Sequence, residues 1–332
     1  VEIIFIFWMT TFLIRTDRQA KLFVWGFFIL VLMFSGVDSL IFFKKAQILG
    51  GTLEARVRAG AQFSSIFAFI MAICLLLYEK RKKIRIILEI SIIGFFTGFL
   101  VCFLRTGYIV LPITLMTLLI LYLYKEKRKE EMKGIAKIFS LVVFLLIFIG
   151  LSSLVITKIN PNINIIKGTF DRFSSLINSG STNPMGYRTV EIKCIIPQVL
   201  AKNPLFGGGL GAKYYSLAES YSPAGILESV KWIWQIKHYV HNNYFEFILR
   251  TGLIGLIVFI VIVFKYLKDA ISFYLKSKNN FYKGFLLGCI GIFLSSLMIA
   301  LSCNSLYSPF LFTIMAMTYC VACLEKKENR LS

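Results

Sequence analysis

Three side chains that could perform chemistry lie where apolar or amphipathic segments of this sequence begin or end. They are Arg105, Arg188 and His241. A planar guanidinium group matches phosphate oxygens bidentately, so Arg105 is a candidate for holding an anion. A histidine with an ordinary pKa near ~6.5 can steer or accept the proton of a hydroxyl group. Arg105 could therefore bind an anionic group and His241 could transfer a proton, while Arg188 precedes an amphipathic segment of the long loop.

Each of the three also has a simpler interpretation. Arg105 could extend to the membrane surface, Arg188 could lie on the polar face of an amphipathic helix, and His241 could cap a helix. His238 precedes His241 by three residues, but no acidic or third ligand has a suitable spacing, so no metal site is predicted. Position alone leaves the functional and the simpler interpretations open.

A second set of candidates could bind substrate. Gly207 and Gly209 belong to a glycine run that could bring backbone N–H groups close to a phosphate. The run lacks the Lys-Ser/Thr ending of a P-loop and follows no strand, so a nucleotide is not expected. A flexible turn after Asn203-Pro204 is the simpler interpretation. Arg172 and Asn242 complete the candidate substrate-binding residues.

The composition defines the class of protein that must position these residues. Hydrophobic residues make up 57% of the chain and charged residues only 16%, with a mean hydropathy of +0.75. We therefore predict an all-α, polytopic transmembrane helical bundle. The net charge of +20 is spread over short clusters between apolar runs, so a nucleic-acid partner is not predicted. The seven scattered cysteines indicate no disulfide framework.

The order of apolar runs and basic clusters predicts the topology. The basic clusters alternate consistently if they all lie in the cytoplasm, which places the turn at Arg105 and the long polar loop outside. The segment with Arg56 and Arg58 is the one short exception. The chain begins within an apolar run at Val1, so we expect further helices upstream. The predicted spans are 22–43, 63–78, 84–104, 106–124, 135–156, 241–264, 284–303 and 306–323.

Three parts follow from this topology: N-terminal transmembrane helices (1–156), an extracytoplasmic loop (157–240), and C-terminal transmembrane helices with a cytoplasmic tail (241–332). The loop should contain an amphipathic helix after Arg188, interrupted at Pro197. Two acids lie within apolar runs. Glu246 precedes Arg250 by four residues, which predicts an ion pair, whereas Asp38 has no evident partner.

The order of these motifs resembles the O-antigen ligase and O-antigen polymerase superfamily of bacterial membrane glycosyltransferases. The resemblance extends over about Gly51 to Tyr319. It is carried by Arg105 in an outer turn, Arg188 in a long outer loop, and three blocks: Pro204-Leu205-Phe206-Gly207-x-Gly209-x-Gly211, His241-Asn242-x-Tyr244 and Gly252-Leu253-Ile254-Gly255-Leu256.

The resemblance implies a GT-C-like bundle of about a dozen spans. It also implies transfer of a glycan from an undecaprenyl-pyrophosphate carrier to an acceptor hydroxyl at the outer face of the bacterial cytoplasmic membrane, without a metal or other cofactor. Arg105 and Arg188 would hold the donor pyrophosphate, and His241 would orient or deprotonate the acceptor. The expected partners are the lipid-linked donor, a glycan or lipid-glycan acceptor, and membrane lipids. Ligation and polymerisation share this donor chemistry and differ in the acceptor.

Two other functions are consistent with parts of the sequence. A transporter or flippase of lipid-linked oligosaccharide would need broken helices and acids at mid-membrane, for which only Asp38 is a candidate. A non-catalytic scaffold would present an aromatic surface on the long loop. The residues for such a surface are Tyr214, Tyr215, Tyr221, Trp232 and Trp234.

Overall fold

A computed structural model describes residues 9–49, 62–102, 105–126, 158, 167, 192–199, 203–209, 211–220, 231–237, 240, 242–301 and 309–331. The predicted span 135–156 and the candidate residues Arg172, Arg188 and His241 lie outside these ranges. The described elements are α1 (Asp17–Leu49), α2 (Gln62–Tyr78), α3 (Lys82–Cys102), α4 (Arg105–Lys125), β1 (Tyr214–Ser220), β2 (Lys231–Lys237), α5 (Asn243–Lys276), α6 (Asn280–Ile299) and α7 (Pro309–Leu331).

The helices confirm the prediction of an all-α polytopic membrane bundle. Five of them are long and apolar enough to cross a membrane, and α2 contributes a shorter apolar helix, Phe63–Tyr78. Their bounds follow the predicted apolar runs because about 20 apolar residues are needed to cross the hydrocarbon core as a helix. These five candidate helices are Asp17–Lys45, Lys82–Cys102, Thr106–Lys125, Asn243–Lys276 and Asn280–Ile299.

The chain divides into two compact units. The first comprises Val1–Ser174, Leu267–Ser296 and Pro309–Ser332, and the second comprises Ser175–Tyr266 and Leu297–Ser308. Small residues let helices of the first unit approach closely, as is usual between membrane helices. A Cβ added to Gly98 of α3 would lie 2.6 Å from the Ser35 Cβ of α1.

Basic clusters that are distant in sequence meet at one end of the first unit. The Lys125 ammonium group, at the end of α4, donates to the carbonyl oxygen of Ser277 beyond α5 (3.0 Å). The Lys21 ammonium group, near the start of α1, lies 5.3 Å from the ring centre of Phe281 in α6. Glu325, beside Lys326 in α7, accepts from the Lys278 N–H (2.7 Å).

The basic cluster between α2 and α3 lies at the same end, where it lines a cavity. Lys80 and Arg81, between α2 and α3, line a cavity together with Lys21 and Asn279. Described residues of the basic clusters therefore lie together at one end of the first unit, and their placement on the cytoplasmic side of the membrane stays a prediction.

The second unit has a small hydrophobic core, formed mainly by residues of the polar loop. Residues 192–199 are helical, and Ile195 and Val199 on one face of this segment are buried. They pack with Tyr214, Val240 and Leu249. The predicted interruption at Pro197 is wrong, because the helix continues to residue 199 with Pro197 on its exposed face. The amphipathic pattern thus buries its apolar face in protein.

A two-stranded antiparallel ribbon in the loop was not predicted. Strands β1 and β2 pair in register from Tyr214 opposite Lys237 to Ser220 opposite Lys231. β2 is rich in aromatic and β-branched residues, which favour strands. The Gln198 side chain accepts from the Tyr215 N–H (2.9 Å) and donates to the Tyr215 carbonyl oxygen (2.7 Å). It thereby links the helical segment to β1.

Helix α5 is broken at Gly252, which has φ 66° and ψ −166°. The rings of Phe247 and Phe259, on opposite sides of the break, stack with their centres 4.5 Å apart. In a straight helix these two residues would be separated by about 18 Å. The chain therefore folds back at Gly252, and the run 241–264, predicted as one span, is two helical segments. We call residues 243–251 the half-helix.

Candidate functional site

The glycine loop (residues 203–209) docks onto the break in α5. In an unbroken helix, the N–H groups of residues 253 and 254 would donate to the carbonyl oxygens of residues 249 and 250. The break at Gly252 frees these four backbone groups, and the loop binds all of them. Its bonds are Gly208 N–H to the Leu249 oxygen (2.8 Å), Gly209 N–H to the Arg250 oxygen (2.9 Å), Leu253 N–H to the Pro204 oxygen (2.9 Å) and Ile254 N–H to the Leu205 oxygen (3.2 Å).

Two glycines make this close docking possible. Gly207 (φ 69°) and Gly252 (φ 66°) both have left-handed backbone conformations that other residues rarely adopt. A Cβ added to Gly207 would lie 2.6 Å from the Gly252 nitrogen, and one added to Gly252 would lie 2.6 Å from the Phe206 nitrogen. The two family blocks that contain these glycines therefore form one interlocked structure.

The predicted substrate-binding glycines have their N–H groups engaged within the protein. Gly207 donates to the Asn203 carbonyl oxygen (2.8 Å), and Gly209 donates to the Arg250 carbonyl oxygen. The Asn203 side-chain oxygen also accepts from the Phe206 N–H (3.2 Å), which closes the turn. These contacts describe a structural role for the glycines, and direct binding of substrate by them stays a prediction.

A cavity of about 320 Å³ opens beside the glycine loop within the second unit. It is close to the lower limit of the usual size range of ligand pockets. The amides of Gln198 and Asn203 and the exposed Lys213 provide its polar side chains, a set that the sequence analysis missed although two of them flank the glycine run. The lining residues are Gln198, Val199, Asn203, Gly207, Gly208, Gly211, Ala212, Lys213 and Leu249.

Asn242 is the N-cap of the half-helix. Its side-chain oxygen accepts from the N–H groups of Tyr244 (3.0 Å) and Phe245 (3.3 Å), which would otherwise lack helical partners. Its side-chain nitrogen donates to the Leu301 carbonyl oxygen (3.1 Å). The amide of Asn242 thus holds the start of α5, and a role in binding substrate directly stays a prediction.

Both neighbours of position 241 are anchored in the second unit. Val240 is buried in the hydrophobic core of the loop, and Asn242 is buried as the N-cap. Asn243 strengthens the anchor, because its N–H donates to the Ala300 carbonyl oxygen (3.0 Å). The hydroxyl of Tyr244 donates to the Leu297 carbonyl oxygen (2.9 Å). The block that contains His241 is therefore attached to the end of α6 by three of its residues.

The predicted ion pair between Glu246 and Arg250 is confirmed. The guanidinium nitrogen of Arg250 lies 2.6 Å from the Glu246 carboxylate, which is buried. Because the Arg250 carbonyl oxygen also accepts from Gly209, this pair stabilises the half-helix at the place where the glycine loop docks.

Arg105 belongs to the first unit, where it is the first residue of α4. The buried Asp38 of α1 lies in the same unit, close enough to Cys102 at the end of α3 to interact with its thiol electrostatically. Asp38 is thus placed near the end of the helix that precedes Arg105. Gly207, Gly209 and Asn242 all belong to the second unit.

The aromatic residues considered for a scaffold surface differ in exposure. Tyr214 is completely buried in the core of the loop, whereas Tyr215 is 54% exposed. Tyr214 therefore contributes packing rather than a contact surface.

The described helices define a polytopic α-helical membrane protein. The sequence profile of the O-antigen ligase family matches residues 90–260, just over half of the chain, from within α3 to beyond the Gly252 break. The chain belongs to the O-antigen ligase family. No curated protein matches its sequence.

Proposed function

We propose that the protein transfers a glycan from an undecaprenyl-pyrophosphate carrier to an acceptor hydroxyl at the outer face of the bacterial cytoplasmic membrane. The observation that carries this proposal is the interlocking of the glycine loop with the Gly252 break. This interlocking holds the C-terminal end of the half-helix in place. The N-terminal end of the half-helix follows directly after His241-Asn242, and the whole arrangement lies within the region that matches the family.

In the proposed reaction, the bond between the anomeric carbon of the donor sugar and the pyrophosphate oxygen breaks. A new bond forms between that carbon and the acceptor oxygen, and undecaprenyl pyrophosphate leaves. The acceptor proton passes to the imidazole of His241, which acts as a general base. The anchored residues on either side of position 241 support this role, because a general base must be held within hydrogen-bond reach of its substrate.

Negative charge accumulates on the pyrophosphate as its bond to the sugar breaks. Preorganised guanidinium groups stabilise such charge without a metal ion, and they pair bidentately with phosphate oxygens. We assign this task to Arg105 and Arg188, with Arg172 as a further contact to the donor. The cavity beside the glycine loop, with its amide groups and Lys213, has the chemistry to bind sugar hydroxyls or the pyrophosphate.

The test is transfer by purified protein from a defined undecaprenyl-pyrophosphate glycan, with separation of the products by size and by acceptor. His241→Ala and Arg188→Ala should each lower the rate of transfer at least about 100-fold, since each removes a catalytic interaction. Lys193→Ala is the matched control, because Lys193 is an exposed cation on the helical segment 192–199. Wild-type rates in both site variants, or loss of transfer after treatment with a chelator, would contradict the proposed mechanism.

Product analysis in the same assay distinguishes ligation from polymerisation. A lengthened lipid-linked glycan indicates polymerisation, whereas glycan on a different acceptor indicates ligation. Movement of a fluorescent lipid-linked glycan across a reconstituted bilayer without any transfer would instead support the flippase alternative. Among the described helices, α5 is broken, as the flippase alternative requires. However, the glycine loop forms hydrogen bonds with the backbone groups that this break frees, so they are not available to a transported substrate.

A further inference from the structure

A second cavity, unrelated to the glycine loop, lies at the basic end of the first unit. It has a volume of about 330 Å³ and is formed by the start of α1, the connection between α2 and α3, and the start of α6. These three chain segments all belong to the same compact unit.

Cations dominate the charged residues of this cavity. Lys21, Lys80 and Arg81 line it, and Glu79 is the one acidic residue among the described residues of the lining. Glu79 is paired with Arg81, whose guanidinium nitrogens donate to the carboxylate oxygens at 3.0 and 2.9 Å. Lys80 is exposed and forms no ion pair with any residue that the structure describes. Lys21 is likewise paired with the Asp17 carboxylate. The cavity lining therefore retains a net positive charge, and Lys80 provides an available ammonium group.

The remaining walls are apolar. Val24, Leu75 and Leu88 line the cavity and are buried, and Trp25 lies beside them. Leu88 is seven residues beyond Arg81, so the lining extends about 10 Å along α3 from the cations into the apolar part of the helix. A ligand that fills this space needs both a negatively charged end and a hydrocarbon part.

The position of the cavity is also consistent with a ligand that has a negatively charged end and a hydrocarbon part. Lys21, Lys125 and Lys278, from three basic clusters distant in sequence, lie at this end of the bundle, which is the pattern of a membrane face in contact with anionic lipids. Tryptophan beside such an opening is typical of the membrane interface. From these observations we infer that the cavity binds the phosphate of an anionic phospholipid, with Lys80 and Arg81 at the head group and the leucines along the start of an acyl chain.

The experiment measures quenching of Trp25 fluorescence by phospholipids with brominated acyl chains. A chain with Trp8, Trp232 and Trp234 replaced by phenylalanine keeps Trp25 as its only tryptophan. In mixed micelles, brominated phosphatidylglycerol should quench Trp25 at a much lower mole fraction than brominated phosphatidylcholine. Equal quenching by the two lipids would overturn the proposal.

Two pairs of substitutions separate the cavity from general surface charge. Lys80→Gln with Arg81→Gln removes two cations of the cavity, whereas Lys82→Gln with Lys83→Gln removes two exposed cations next to it that do not line it. The first pair should weaken the apparent affinity for phosphatidylglycerol roughly 30-fold, at about 5-fold for each cation near an anionic lipid. The second pair should weaken it less than about 3-fold, and equal effects of the two pairs would overturn the proposal.

Two further measurements complete the test. Lys80→Gln alone changes an exposed side chain without an ion pair to a described residue, so it should leave folding intact and still weaken binding about 5-fold. No loss of affinity in this folded variant would contradict the role of Lys80. Inorganic phosphate in excess should fail to displace brominated phosphatidylglycerol; displacement would show that the site takes free phosphate and overturn its assignment to a lipid.

Discussion

Gly207 and Gly252 pack backbone against backbone, so closely that a Cβ on Gly207 would lie 2.6 Å from the Gly252 nitrogen. This contact joins two motif blocks that are distant in sequence. Around it, the glycine loop replaces the two helical hydrogen bonds that the break in α5 removes. An unsatisfied buried backbone group costs about 1–3 kcal/mol, so the loop and the broken helix each stabilise the other.

Alanine substitutions at four glycines should separate the contribution of the positive φ from that of the close backbone contact. Gly211→Ala should have little effect, within about 0.5 kcal/mol, because Gly211 has open space around it and no positive φ. Gly209→Ala should cost about 1–2 kcal/mol, because Gly209 has open space but a φ of 82°.

Gly207→Ala and Gly252→Ala combine the positive φ with a clash against backbone, so each should cost more than about 3 kcal/mol. Thermal unfolding in detergent, with limited proteolysis of the loop, measures the series. The same cost at Gly209 and Gly252 would show that the close contact contributes nothing beyond the backbone conformation.

Asn242 should act through its position at the start of the half-helix. Asn242→Ala removes the cap and the bond to Leu301, and should lower stability by about 1–2 kcal/mol. Asn242→Ser keeps a capping oxygen but loses the donor to Leu301, so it should recover most of the stability. Rates of glycan transfer measured beside unfolding temperatures check the assignment. A loss of activity in Asn242→Ser equal to that in Asn242→Ala, with stability restored, would instead favour direct contact with substrate.

Loss of Arg250 should lower the stability of the protein more than neutralisation of Glu246. Arg250→Ala removes the ion pair and leaves a buried carboxylate, at a cost of about 3–5 kcal/mol. Glu246→Gln keeps a hydrogen-bond acceptor of the same shape and should cost less. Unfolding of both single variants and the double variant gives the coupling energy. Strictly additive effects would contradict the ion pair.

The hydroxyl groups of Tyr78 and Tyr274 should form a coupled pair between α2 and α5 within the first unit. Their oxygens are 2.7 Å apart and both side chains are buried. Each single change to phenylalanine leaves one buried hydroxyl without this partner and should cost about 1–2 kcal/mol. The double change removes both hydroxyl groups and should cost less than the sum of the two. Unfolding in detergent checks this order, with Tyr124→Phe on the exposed part of α4 as the control.

Local patterns in the sequence predicted much of the fold. The length of the apolar runs determined the helices, because the bilayer requires about 20 apolar residues in each span. The spacing of Glu246 and Arg250 predicted their ion pair, because residues four apart lie on the same face of a helix. The alternation of basic clusters predicted that Lys21, Lys80 and Lys125 lie at one end.

The features that the sequence analysis missed depend on distant partners. The break at Gly252 lies in a run with high hydropathy that is typical of a continuous helix, and the break is stable because residues 204–209 supply the missing hydrogen bonds. The ribbon of β1 and β2 depends on pairing across a loop, which a local pattern does not encode. Pro197 continues its helix because Ile195 and Val199 bury their side chains against Tyr214 and Leu249.

The sequence by itself determined the class of membrane protein, the order of its helices and the family blocks that contain the candidate residues. Only the tertiary structure decided that the glycine loop serves as a backbone partner of α5 and that Asn242 is the cap beside position 241. The physical reason is that hydropathy and helical spacing act between near neighbours. The hydrogen bonds of a broken helix, in contrast, are completed by whichever segment the fold brings to them.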